Sequence, residues 1–243
     1  MDDDFLGTIE KDYDKIKSEF QKTDNLQAAL KITKQIKEHG KLFKSVFFFL
    51  VSIFKGKSRN DKKTPLVFHS IYLTRLAYLC GEKDLGSLLT VALHDVLEDT
   101  EISEEILLRQ EFMKGHEKII DNLRILKENK DLSRDPDGKN LPLRYAEHIK
   151  RLIGSPKEVI NTEIIDRFSD LMDLEYIMEL PEKELELRLK AKMIKTKSFV
   201  YNLIRGRRDF NKKELQLFES KIKQLEKEYN IHAEMQLVNP QSS

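Results

Sequence analysis

Residues 92–100 read ALHDVLEDT, a His-Asp pair and a Glu-Asp pair set one helical turn apart in an otherwise apolar stretch. The residues before and between the pairs are apolar, which is typical of a helix buried on all sides. Burial of His94, Asp95, Glu98 and Asp99 without partners would be costly, and the carboxylates would raise one another's pKa values. A divalent cation supplies the opposite charge, so this stretch predicts a metal site inside a helical core.

A second acidic pattern lies near residue 166. Glu163, Asp166, Asp170 and Asp173 are spaced i, i+3, i+7 and i+10, which places them on one face of a predicted helix. Like charges at i, i+4 destabilise a helix, and a solvated acidic stripe is one interpretation. Much of the same helix is apolar, which favours a buried acidic face that binds a cation. The apolar residues are Ile164, Ile165, Phe168, Leu171 and Met172.

The remaining sequence predicts an all-α fold. Only 9 glycines and 6 prolines occur in 243 residues, and no turn dipeptide joins two alternating runs. We expect two or three helices in the first 60 residues and two more at about 182–205 and 211–229. Residues 128–142 form the clearest predicted loop, rich in Asp, Asn, Pro and Gly.

Several helix boundaries can be predicted from capping residues. Thr64-Pro65 reads as an N-cap and first helical residue, with Gly81 as the stop signal. Asp84 is expected to cap one helix that carries residues 85–99. Ser155-Pro156-Lys157-Glu158 has the spacing of a capping box and is expected to open a helix that runs to about Leu180, where Pro181 ends it.

Composition limits the classes of function. The 43 basic and 42 acidic residues leave a net charge of +1, which does not favour a nucleic-acid or acidic-membrane partner. The single cysteine, Cys80, cannot form an internal disulfide, and the acidic N-terminus resembles no targeting peptide, so we expect a cytoplasmic protein. The apolar run at 45–54 is too short to span a bilayer; it predicts a buried helix, or alternatively one that lies on a membrane or partner surface.

Two further stretches complete the chemistry. His69 stands near the start of an amphipathic segment, directly after the basic loop GKSRNDKKTP at residues 56–65. Such a loop is often only solvated, but Arg59, Lys62 and Lys63 would suit a phosphate group at the mouth of a metal site. Tyr145, after the predicted loop, could stack on a base, or it could be an ordinary surface residue.

These stretches resemble a known family. The order His69, His94-Asp95, Asp166 is similar to the H…HD…D signature of the HD-domain metal-dependent phosphohydrolases. HDVLEDT resembles the HD-x-x-EDT motif of the RelA/SpoT hydrolase domains, which remove the 3′-pyrophosphate of (p)ppGpp. TPLVFH and EIIDRFSDLMDL resemble two further segments of that family, so the similarity covers roughly residues 55–180.

The resemblance implies a site and an architecture. His69, His94, Asp95 and Asp166 would bind the metal, and this donor set suits Mn²⁺, with Fe, Co or Zn as alternatives. The expected architecture is an HD-domain helical bundle at 56–182, with an N-terminal helical extension at 1–55 and C-terminal helices at 183–243 packed on it. A homo-oligomer is compatible with the extra helices.

The implied activity is hydrolysis of (p)ppGpp-like alarmones to GDP or GTP and pyrophosphate. Glu98 and Asp99 would act on the water and the leaving group, and a small-molecule nucleotide would contact Arg59, Lys62, Lys63, Tyr145 and Asp170. Asp170 departs from the family, which usually has Asn at this position. Two alternatives therefore stay open: an HD phosphohydrolase for another nucleotide, and a non-catalytic nucleotide-binding HD module.

Overall fold

The computed structural model describes residues 3–59, 61–127 and 141–234, without the side chains of 141–146, 175, 176 and 183. Most residues in these ranges are helical, and the β-structure among them is one antiparallel bridge between Ser58 and Pro65. The predicted all-α class is confirmed. The predicted loop at 128–142 lies largely outside the described residues, and a helix already begins at Leu141.

The helices are α1 (Asp3–Lys22), α2 (Asn25–Thr33), α3 (Gly40–Ile53), α4 (Val67–Leu79), α5 (Leu85–Leu93), α6 (Val96–Asp99), α7 (Glu104–Leu108), α8 (Ile119–Leu126), α9 (Leu141–Leu152), α10 (Lys157–Met172), α11 (Glu175–Met178), α12 (Glu182–Ile204) and α13 (Lys212–Glu228). A short 3₁₀ turn, Glu111–Met113, follows α7.

Helices α4, α5 and α10 form the centre of the bundle and pack against one another. Their side chains are buried on nearly every side, as expected for the middle of a helical protein. Helices α1 and α2 pack on α4, while α12 and α13 pack on α10. One hydrophobic core runs from Leu6 to Ala233, so the boundaries proposed at 55 and 183 stay predictions.

Helix α3 carries the apolar run and is buried on one face. Phe43, Val46, Phe47 and Leu50 face the core, whereas Phe48 is 55% exposed. The apolar run therefore forms a helix whose inner face is buried, as predicted, and whose outer face is partly exposed. Within the described ranges, every helix is too short or too polar to cross a lipid bilayer.

Two of the predicted capping signals are confirmed. The side chain of Asp84 accepts a hydrogen bond from the backbone N–H of Ser87, 2.8 Å away, and thereby caps α5. Gly81 directly follows the C-cap of α4 and has a φ of +95°, a conformation that glycine adopts at little cost. Both residues fix where the two central helices meet.

The other two capping predictions are wrong. Helix α4 begins at Val67 rather than Pro65, because the N–H and hydroxyl of Thr64 both bond to Asp61 in a preceding turn. The predicted capping box at 155–158 does not form. The hydroxyl of Ser155 donates instead to the carbonyl of Arg151, 3.4 Å away, and α10 begins without a side-chain cap.

Two predicted long helices are interrupted. The helix predicted over 85–99 breaks at His94 and Asp95 into α5 and α6. The helix predicted to reach Leu180 ends at Met172, where Asp173 leaves the helical conformation and its carboxylate binds Lys17 and Arg59. Side-chain contacts inside the molecule have outweighed local helix propensity at both breaks.

Candidate metal centre

Three parts of the chain bring four polar side chains together. Helix α4 supplies His69, the break between α5 and α6 supplies His94 and Asp95, and α10 supplies Asp166. Nε2 of His69 lies 3.0 Å from Oδ1 of Asp166 and 3.7 Å from Oδ2 of Asp95. Nε2 of His94 lies 3.1 Å from Oδ1 of Asp95 and 4.0 Å from Oδ1 of Asp166.

The two imidazoles are oriented through their other ring nitrogens. Nδ1 of His94 lies 2.8 Å from the carbonyl oxygen of Val91 and therefore carries the proton that it donates. Nδ1 of His69 lies 3.3 Å from the hydroxyl of Ser169. Both Nε2 atoms consequently face the carboxylates, an arrangement that metal-ligating histidines commonly use.

The electrostatics of this cluster favour a bound cation. Burial alone would lower the pKa of His94, but the carboxylates of Asp95 and Asp166 raise it to about 10. Burial would raise the pKa of Asp166, but Arg167 and then His69 hold it well below its ordinary value. The cluster thus retains negative charge that a proton on His94 only partly balances.

The geometry fits a divalent metal ion. One donor atom each from His69, His94 and Asp95 lies within 4.8 Å of the others, which is close enough for a single ion to contact all three. Nε2 of His94 is buried and makes no well-aligned hydrogen bond with any residue in the described ranges. An orphaned imidazole nitrogen beside carboxylate oxygens is a donor set suited to Mn²⁺, Fe, Co or Zn.

Two cavities meet at this cluster, and Asp95 and Asp166 line both. The inner cavity, of about 140 Å³, is also lined by Glu98 and is smaller than a usual small-molecule pocket of roughly 300 Å³. The outer cavity, of about 540 Å³, is also lined by His69 and Asp99 and falls within the usual size range. Glu98 and Asp99 therefore border different sides of the cluster.

The outer cavity includes part of the predicted basic loop. Lys57, Ser58 and Arg59 line it, whereas Lys62 and Lys63 are exposed on the turn and do not. Lys57 Nζ donates to the backbone carbonyl of Asp99.

Sequence reasoning overlooked Lys57, although it belongs to the same basic loop. Arg59 is partly committed elsewhere, because its Nε lies 2.6 Å from Oδ2 of Asp173. The side chain of Tyr145 lies outside the described residues. Lys57 is thus the lysine of this loop placed to meet a ligand in the outer cavity.

Asp170 also lines the outer cavity, but its negative charge is balanced. Its Oδ2 lies 2.9 Å from Nζ of Lys192 and 3.1 Å from Nη1 of Arg167. The aspartate that replaces the usual asparagine of the resembled family therefore meets two cations of the chain itself. This pairing counts against a second cation site at Asp170.

The inner cavity contains a buried pair that the sequence did not single out. Nε2 of His148 lies 3.0 Å from Oε1 of Glu163, and both side chains are about 5% exposed. Glu163 belonged to the predicted acidic face, but nothing in the sequence linked it to His148 in α9. The packing of α9 on α12 and beside α8 brings this histidine to the wall of the inner cavity, behind the His-Asp cluster.

A scan of known protein-family models and a search of curated proteins both found no match to this chain. The functional assignment therefore depends on the chemistry of the site.

Proposed function

We propose that this protein is a divalent-metal-dependent phosphohydrolase, and that guanosine alarmones of the (p)ppGpp type are its substrates. The observation that carries the proposal is the convergence of His69, His94, Asp95 and Asp166, with both imidazole Nε2 atoms directed at carboxylate oxygens. The order of these residues along the chain and the complete HDVLEDT motif support the same class.

A divalent ion at this cluster would polarise the bonds of a phosphate ester and lower the pKa of water. Residues of the chain would do the remaining work. Glu98 lines the inner cavity, which is polar and large enough for water, so it is placed to accept a proton from the attacking water. Water adds to phosphorus, the bond from phosphorus to the ester oxygen breaks, and Asp99 on the outer side is placed to return a proton to that oxygen.

The sizes of the cavities favour entry of substrate from the outer side. The inner cavity is too small for a nucleoside, whereas the outer one has the volume of a small-molecule site and carries Lys57 and Arg59. Cationic side chains at the mouth suit the negative charge of a polyphosphate. Because Lys192 balances the charge of Asp170, this aspartate does not by itself exclude an anionic substrate.

The test is a hydrolysis assay on the purified chain with Mn²⁺ and a panel of ppGpp, nucleoside monophosphates, nucleoside triphosphates and cyclic dinucleotides. Release of pyrophosphate and GDP from ppGpp, abolished by EDTA, would support the alarmone substrate. Hydrolysis of another nucleotide alone would keep the phosphohydrolase and replace the substrate. Metal and nucleotide binding without any hydrolysis would favour the non-catalytic module.

A further inference from the structure

A chain of polar contacts leads from Asp166 through α10 to α9. Nη2 of Arg167 lies 3.4 Å from Oδ2 of Asp166 and 3.2 Å from Oε2 of Glu163. The other oxygen of Glu163, Oε1, lies 3.0 Å from Nε2 of His148. On its far side, Nδ1 of His148 lies 2.7 Å from Nη2 of Arg151. Each carboxylate oxygen of Glu163 therefore has its own partner.

Packing holds this chain of contacts in place. The ring of Phe199, buried in α12, lies 4.8 Å from the guanidinium carbon of Arg167 and stacks on the ring of His148 at 5.7 Å. Glu163 and His148 are themselves almost fully buried. Three helices, α9, α10 and α12, thus fix the position of Arg167, which two flexible surface side chains could not do.

Arg167 is shared among three carboxylates. It pairs with Glu163, Asp166 and Asp170 at 3.1 to 3.4 Å. If the guanidinium of Arg167 paired with Asp166 alone, it would neutralise that carboxylate and compete with a metal ion for it. The negative charges of Glu163 and Asp170 offset the positive charge of Arg167 beside Asp166, and that favours cation binding.

We infer that Glu163, fixed by His148, is a positioning residue of the metal centre. It holds Arg167 beside Oδ2 of Asp166, which leaves Oδ1 directed at His69, and it limits how far Arg167 neutralises Asp166. This inference rests on the proposed metal centre and adds two residues that do not contact the metal. Loss of such outer contacts typically weakens metal affinity or activity by about 10- to 100-fold.

The experiment measures binding of Mn²⁺ alone to the full chain by titration calorimetry, with no substrate present. Glu163→Gln keeps the shape of the side chain and removes its charge, so we expect the dissociation constant to rise by about tenfold or more. Glu214→Gln is the matched control, because Glu214 is also buried but lines neither cavity. We expect it to bind Mn²⁺ as the wild type does.

A double-mutant cycle with Arg167→Gln tests the route of the effect. If Glu163 acts through Arg167, Glu163→Gln should change Mn²⁺ affinity much less once Arg167 has been replaced. His148→Gln retains a donor towards Glu163 and should bind nearly as the wild type, whereas His148→Leu should weaken binding. Circular dichroism establishes whether each variant is folded. If Glu163→Gln does not fold, the comparison of His148→Gln with His148→Leu is the test.

The outcomes separate the two proposals. Failure of the wild type to bind Mn²⁺ would overturn the metal centre itself. If the wild type binds Mn²⁺ and Glu163→Gln has the same dissociation constant, the positioning role is overturned and the centre is left intact. If Glu163→Gln does not fold, an unchanged dissociation constant in His148→Leu has the same meaning. Equal weakening in Glu163→Gln and in the Glu214→Gln control would also overturn it, because replacement of a buried glutamate away from both cavities would then have the same effect.

Discussion

Nε2 of His69 lies 3.0 Å from Oδ1 of Asp166, and this contact joins α4 to α10 at the centre of the bundle. The side chains of His69 and Asp166 are only 6% and 17% exposed, so bulk solvent compensates little of their charge. A buried cluster of one imidazole and two carboxylates is stable only when the charges of these groups are balanced. The contact is therefore the structural basis for expecting a metal ion and for the predictions that follow.

Asp95→Ala should strongly weaken metal binding. The variant removes the carboxylate that lies near both imidazoles, at 3.1 Å from His94 and 3.7 Å from His69. We expect Mn²⁺ affinity to fall by about a hundredfold or more, since loss of a direct ligand should exceed the cost of losing an outer contact. Calorimetry measures the affinity, and full hydrolytic activity in this variant would mean that the site has been assigned to the wrong residues.

Glu98→Gln should separate binding from turnover. Glu98 lines the inner cavity and is not one of the three residues whose donor atoms cluster within 4.8 Å. We expect Mn²⁺ affinity close to that of the wild type and a fall in kcat of about 10²- to 10⁴-fold, the usual contribution of a general acid or base. An unchanged kcat on the substrate found in the nucleotide panel would remove Glu98 from the reaction.

Lys57→Ala should weaken substrate binding. Its side chain lines the outer cavity beside Asp99, whereas Lys62 and Lys63 are exposed on the turn and do not line that cavity. We expect Lys57→Ala to raise KM several-fold with little change in kcat, and the double variant Lys62→Ala/Lys63→Ala to behave as the wild type. Steady-state kinetics of both variants measures these effects. A larger rise in KM in Lys62→Ala/Lys63→Ala than in Lys57→Ala would favour the two lysines predicted from the sequence.

How well the sequence predicted the site depended on the distance between the partners. HDVLEDT and Asp166 could be recognised because the residue types and their order are informative on their own. The pairing of His148 with Glu163 could not, because α9 and α10 place these side chains together only through packing. Lys57 was missed for a related reason: charge marks a basic loop, but the turn at Asp61 decides which of its lysines faces the cavity.

The fold shows the same difference between local sequence signals and long-range contacts. Composition was sufficient to predict an all-α protein, and Asp84 and Gly81 act locally, so their effect on α5 and α4 could be predicted. The end of α10 could not be, because Asp173 is drawn out of the helix by Lys17 from α1 and Arg59 from the basic loop. Such long-range ion pairs leave no periodic signal in the sequence.

Glu214→Gln should stabilise the protein at neutral pH. Burial, and then the charge of Glu82, raise the pKa of Glu214 well above its ordinary value, and its Oε2 makes no hydrogen bond with any described residue. Because the folded state then binds this proton more tightly than the unfolded state, the free energy of unfolding falls as pH rises above about 4.5.

The amide avoids that loss, so we expect the free energy of unfolding to rise by about 1 kcal/mol or more at pH 7.5. Each kcal/mol corresponds to a rise of roughly 2–4 °C in Tm. Thermal unfolding at pH 4.5 and pH 7.5 gives the comparison. The two proteins should differ less at the lower pH, and a difference that does not depend on pH would mean that Glu214 is not the titrating group.

The most direct measurement is anomalous X-ray diffraction from crystals of the full chain grown with Mn²⁺. We expect one strong anomalous peak in contact with Nε2 of His69, Nε2 of His94 and the carboxylates of Asp95 and Asp166, and no such peak in crystals of Asp95→Ala. A peak at other residues, or a wild-type crystal in which this cluster holds no manganese at saturating concentration, would contradict the metal centre and with it the proposed hydrolase.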